Sequence, residues 1–125
     1  MIEKRVVKKI LNILLGNGAD FSEVFVQKKA FNNLRLEDSK VENSTSGSEL
    51  GCGLRVWAGE STFYAYIDSI KEDKLINAAR VLSSAVNGSS QVKVLNLTET
   101  RSSYDISIKK APSAVQPDDK IEILR

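Results

Sequence analysis

The feature that most constrains this chain is a switch of hydrophobic period, from that of a helix to that of a strand and back. In residues 2–15, Val7, Ile10, Leu11, Leu14 and Leu15 recur at three-and-four spacing, which gathers apolar side chains on one helix face. Gly16-Asn17-Gly18 predicts the helix end, because Gly and Asn enter the left-handed cap conformation at little cost. From residue 22 the period is two. Val24 and Val26 alternate with Glu23, Phe25 and Gln27, and Leu34 and Leu36 alternate with Arg35 and Glu37. Asp38-Ser39-Lys40 signals a turn, after which Val41 opens another extended run. Cys52, Leu54 and Val56 share one face, with Arg55 and Trp57 opposite. Beyond Ala58-Gly59-Glu60, Phe63, Ala65 and Ile67 alternate with Tyr64 and Tyr66. Short alternating runs between turns predict an antiparallel meander of about five strands.

Helical spacing returns near Ser69. Ser69 and Glu72 stand at capping-box spacing, and Leu75, Ala78, Ala79, Leu82, Ala85 and Val86 form an apolar stripe. Asn87-Gly88-Ser89-Ser90 stops it. The expected fold is therefore α+β in the order α-β-β-β-β-β-α, with two helices on one face of an antiparallel sheet and an extended tail. The other sheet face is left open to solvent or a partner. Residues 1–90 form the expected N-terminal domain and 91–116 an extended segment or linker. Val92, Val94, Leu95 and Leu97 are candidates for one more strand. Pro117-Asp118-Asp119 reads as a helix start, with Pro in the first turn and acids at the positive dipole end. Ile121, Ile123 and Leu124 supply its apolar residues, and Arg125 follows after barely two turns. So short a helix is marginal alone, so residues 117–125 are expected to open a further segment of a longer polypeptide; the alternative is a terminal turn docked on the sheet.

Composition removes several chemistries. The chain has no histidine and one cysteine, Cys52. A Ser-His-Asp or Cys-His arrangement cannot be built from it, nor a zinc site that needs imidazole, nor an intrachain disulfide. With 18 Lys and Arg against 16 Asp and Glu, the formal charge of +2 gives no basic footprint for nucleic acid or membrane. Charges interleave with apolar residues in Met1–Lys9, unlike a secretory signal, and no run reaches the roughly 18 apolar residues of a membrane span. The cytoplasm is the expected compartment.

Gly51-Cys52-Gly53 invites a phosphate-loop reading, but Val56 stands where G-x-G-x-x-G needs glycine, and no helix follows. Glycines inside a strand instead mark a bulge or a close backbone approach. Cys52 lies on the face of Leu54 and Val56 and reads as a buried structural thiol. Glu37, Asp38, Glu42 and Glu49 read as solvated turn acids, and Ser44–Ser48 as a flexible hairpin loop. Arg55, Trp57, Tyr64 and Tyr66 fall opposite the aliphatic face and are the candidate interface or peptide-contact residues. No catalytic or metal-binding residue is assigned.

Particular stretches then resemble one family. Gly18-Ala19-Asp20-Phe21-Ser22-Glu23-Val24 resembles the GADYAEV opening of the TldD/PmbA family, once named modulators of DNA gyrase. Leu36-Glu37-Asp38 with Val41-Glu42 resembles its second hairpin, and Gly51–Val56 its GxGxRV strand. Gly59–Asp68 is similar to the GExxGFAYxD segment, with Phe63-Tyr64 displaced from the usual Gly-Phe. Asp118–Arg125 resembles the EEKLDILR start of the family's next segment. The match is closer to the TldD branch. It implies the N-terminal, non-catalytic domain of a peptidase whose TldD-type and PmbA-type subunits pair and act in peptide-antibiotic maturation and antitoxin degradation. Zinc would be held by a His-Glu-x-x-x-His motif in the C-terminal domain. No position here matches that motif, so no cofactor is expected in this chain itself.

Two functions follow. In the first, the domain packs on its own C-terminal catalytic domain, helps form a homo- or heterodimer, and walls a cavity for a peptide substrate. In the second, it is a standalone adaptor that binds peptide or protein through the open sheet face. Literal gyrase or DNA binding is disfavoured by the balanced charge.

Overall fold

The computed structural model describes residues 1–104 and 106–125. In chain order they form α1 (Lys4–Leu15), β1 (Phe21–Glu37), β2 (Lys40–Ala58), β3 (Ser61–Ile67), α2 (Glu72–Ser83), a single 3-10 turn (Pro112–Ala114) and α3 (Pro117–Leu124). The three strands make one sheet in the order β1-β2-β3, and β2 and β3 are antiparallel, with Cys52 opposite Ile67 and Ala58 opposite Ser61. The chain divides into two compact units: Met1–Lys28 with Glu49–Glu99, and Lys29–Ser48 with Thr100–Arg125.

The α+β class holds, but the expected five strands are three. The alternating runs at 22–27 and 34–37 are parts of one 17-residue strand, and Val41 belongs to the same 19-residue strand as Val56. The segments between them lack alternation because nearly every residue of 28–33 and 40–50 is exposed. A ribbon with no buried face imposes no period of two. Ser44–Ser48 is therefore strand, not loop. The turn at Asp38 and Ser39 is where the sequence predicts it, with φ of 49° and 63°. Both central residues are left-handed, as a primed two-residue hairpin turn requires. Serine holds that conformation at a cost glycine avoids, so Ser39→Gly should raise stability by about 0.5–1 kcal/mol in urea unfolding.

In the first unit α1 and α2 pack together and cover one sheet face. Val6, Ile10, Leu14 and Leu15 from α1, Cys52, Leu54 and Val56 from β2, and Leu75, Ala79, Leu82 and Val86 from the α2 region form the core. Val6 rather than Val7 takes the first buried position of α1, and Leu11 is half-buried. Val24, Val26, Phe63, Ala65 and Ile67 pack against that core. α1 ends at Gly16-Asn17-Gly18 as expected, with the second glycine as the left-handed residue. Gly16 stays right-handed at φ −62°, and Gly18 takes the positive φ, +94°. The Asn17 amide then donates to the Ser83 carbonyl at 2.9 Å, satisfying a backbone acceptor at the end of α2.

Nor is Ser69–Glu72 a capping box. α2 begins at Glu72, too late for that residue to reach back from the third turn position, and the Ser69 hydroxyl accepts from the Lys71 N–H at 3.2 Å. Glu72 is instead engaged by Arg5, which donates to both carboxylate oxygens at 3.1 and 3.2 Å. This hydrogen bonding holds the Glu72 carboxyl below its ordinary range and raises the Arg5 guanidinium. A carboxyl lowered in the folded state stabilises above its unfolded value and loses that contribution as pH falls through the folded value. Arg5→Gln should therefore lower Tm at pH 7, and the gap to wild type should narrow at pH 3.

Val92, Val94, Leu95 and Leu97 do not form a strand. Val94 N–H donates to the Asn12 side-chain oxygen at 2.8 Å, and the Asn12 amide donates back to the Val94 carbonyl at 3.2 Å. One side chain thus replaces a strand neighbour. In the second unit, Arg35 pairs across the ribbon with Glu42 at 2.7 Å, and Phe31 lies over Gly47. α3 starts with Pro117, followed by Asp118 and Asp119 in its first turn.

Candidate functional site

The helices cover one face of the sheet in the first unit, and the strand pleat sends the alternate residues to the other. There Arg55 and Trp57 on β2 meet Tyr64 and Tyr66 on β3, with Arg55 directly opposite Tyr64 and Gly53 opposite Tyr66. Trp57 is 38% exposed and each tyrosine 61%. The structure thus brings the four sequence-chosen residues onto one face, turned from the helices.

Three further members were not singled out from the sequence. Phe21, Glu23 and Phe25 occupy alternate positions of β1. Phe21 stacks on Trp57 with centroids 4.7 Å apart and planes 24° apart. The Arg55 guanidinium carbon sits 5.2 Å from the Trp57 ring centroid, and the same group is ion-paired with Glu23. Such stacks contribute about 0.5–1.5 kcal/mol and exposed cation–ring contacts about 0.5–1 kcal/mol, so Arg55 is held from two sides. Only the odd-numbered parity of β1 marked these residues, and it gains meaning once β1 is known to lie beside β2.

Gly51 and Gly53 explain how the tyrosines lie. A Cβ on Gly53 would come 2.7 Å from the Tyr64 hydroxyl oxygen, and one on Gly51 would run into the Tyr66 ring. The hydroxyl end of each ring therefore occupies the space that a side chain at the glycine would fill. The G-x-G pattern marks close approach, as expected of glycines in a strand, and the approaching group is an aromatic ring. Glu23, Phe25, Gly53, Arg55 and Tyr64 line a shallow cleft of about 200 Å3. The Arg55 Nε is buried there without a hydrogen-bond partner among the described residues.

The face offers shape, aromatic surface and one fixed ion pair. Cys52 is fully buried beneath it, on the core side, and burial pushes its thiol pKa up, away from the reactive thiolate. Among the described residues, no group of three or more His, Cys, Asp or Glu is placed to hold a metal ion. No helix among them is long and apolar enough to cross a membrane.

Residues 22–86, about half of the chain, match the model of the family described as PmbA/TldA metallopeptidase domain 1. The chain belongs to that family. The matched residues run from the second residue of β1 to the turn after α2, and so contain all of the aromatic face except Phe21. Over 96 residues the chain is 28% identical to a protein named Metalloprotease TldD homolog from Haemophilus influenzae, covering 77% of this chain and 19% of that protein. Over 79 residues it is 30% identical to a Metalloprotease TldD homolog from Buchnera aphidicola, covering 62% and 16%. The chain thus aligns with less than a fifth of the length of these curated relatives. Among the described residues of this PmbA/TldA domain 1, none fits a zinc site built on imidazole or thiolate: histidine is absent and Cys52 is sealed in the core.

Proposed function

We propose that the chain serves as the non-catalytic N-terminal domain of a TldD-type zinc peptidase. The family match over residues 22–86 carries this reading, supported by two relatives named as metalloproteases and more than five times longer than their aligned part. In the proposal, zinc and its ligands belong to a C-terminal domain of the full protein, which works in the cytoplasm. The open sheet face of Arg55, Trp57, Tyr64 and Tyr66 packs on that domain or on a paired TldD/PmbA-type subunit, and so helps enclose a cavity for peptide substrate. Aromatic residues with an arginine suit such a role, since they are enriched where interfaces are most tightly packed. The test is to read the gene beyond codon 125. An in-frame continuation carrying a metal motif is expected; a stop codon, or a continuation without such a motif, overturns the assignment.

The exposure of Trp57, Tyr64 and Tyr66 also favours a second reading, a standalone adaptor that uses this face on a peptide or protein. The two differ in what the full gene product does. Under the adaptor reading it hydrolyses no peptide with or without zinc.

A further inference from the structure

The second unit contains a pocket of about 450 Å3, within the roughly 300–1,000 Å3 range of small-ligand sites. Both walls come from that unit: the β1–β2 ribbon on one side, and the 3-10 turn with α3 on the other. Lys120 is the only charged residue of the lining. It is half-buried, and among the described residues no carboxylate pairs with it. On the same helix Glu122 is engaged by Arg125 at 3.1 Å. Asn32, Ser44 and Gln116 bring neutral hydrogen-bonding groups to the lining, and Leu34 and Ile123 bring apolar surface.

An unpaired cation in a concave site attracts an anion, and no acid lines this pocket, Asp118, Asp119 and Glu122 of the same helix lying outside its lining. One ammonium matches one negative charge. A phosphate dianion would be left half-neutralised, since the lining holds neither a second cation nor an arginine fork. The apolar part of the wall asks that the anion carry a hydrocarbon group. We propose that this pocket binds the C-terminal carboxylate of a peptide ending in an apolar residue. Lys120 pairs with the carboxylate, Leu34 and Ile123 receive the last side chain, and the amides of Asn32 and Gln116 serve the preceding peptide group. That the ligand is a peptide, rather than another amphiphilic monoanion, rests on reading the chain as a peptidase domain.

Calorimetric titration of the 125-residue chain with acetyl-Ala-Ala-Leu tests this. The free acid is expected to bind at least tenfold more tightly than the same peptide as its C-terminal amide, and more tightly than N-acetyl-leucine or acetate. Lys120→Gln should remove that preference and Lys120→Arg should keep most of it, each with the thermal unfolding of wild type. Equal binding of acid and amide, an unaltered preference in Lys120→Gln, no detectable binding of the acid, or acetate binding as well as the peptide would each overturn the proposal. Peptide hydrolysis by the full gene product is scored separately. Hydrolysis without acid-over-amide preference refutes the pocket alone, and the preference without hydrolysis refutes the peptidase reading alone.

Discussion

Replacing Leu54 with alanine is expected to lower the unfolding free energy by about 3–5 kcal/mol. Leu54 is fully buried near the C-terminal end of β2, between Cys52 and Val56 on the face that α1 and α2 cover. In the same core, Ile10 and Leu14 of α1 and Leu75 of α2 are also fully buried. A cavity opened beneath Leu54 is therefore bounded by three elements and cannot close by the movement of one. A domain of this size is stable by roughly 5–15 kcal/mol, so the loss is a large share of the total. Urea unfolding with an unchanged slope measures it. A loss below about 1 kcal/mol would mean that the core is not packed as described.

The second large effect belongs to Gly18. Its φ of +94° lies where L residues are rarely found, and a Cβ there would meet the Ser89 carbonyl oxygen at 3.1 Å and the Ser89 nitrogen at 3.3 Å. Both are backbone atoms and cannot turn aside as a side chain would. Gly18→Ala is expected to cost about 2–3 kcal/mol, the sum of backbone strain and the displacement of residues 88–89. Gly59 supplies the control. It also has positive φ, +59°, but nothing lies within 4 Å of its would-be Cβ. Gly59→Ala should therefore cost only the strain, about 1–2 kcal/mol. Equal costs at the two positions would show that the approach of residues 88–89 to the α1–β1 turn contributes nothing.

These residues also show how far the sequence could be read. Ile10, Leu14, Leu54 and Leu75 were legible as core because each lies in a segment with one buried face, and a buried face writes its period into the sequence. The open face was legible for the same reason, since Trp57, Tyr64 and Tyr66 fall on the opposite parity. The ribbon was not. Between Lys28 and Asn33, and between Asn43 and Leu50, exposure leaves composition unconstrained, so two long strands read as four short ones. The bond between Asn12 and Val94, 82 positions apart, has no local signal at all. Gly51 and Gly53 announced a close approach without naming the visitor, because which ring lies over which glycine depends on the β2–β3 register. Phe21, Glu23 and Phe25 joined the face only once β1 was placed beside β2. Family membership was carried by short stretches in order rather than by any single motif, and those stretches mark the turns, the glycines and the aromatic strand.

Under the proposed function this chain supplies a wall and an interface, while catalysis resides in another part of a longer protein. Hydrolysis of an unstructured peptide by the full gene product and by residues 1–125 alone, each with and without a zinc chelator, tests it most directly. Chelator-sensitive cleavage by the full product and none by residues 1–125 is the expected result. Cleavage by residues 1–125 alone, or a full product that cleaves nothing when loaded with zinc, would contradict it.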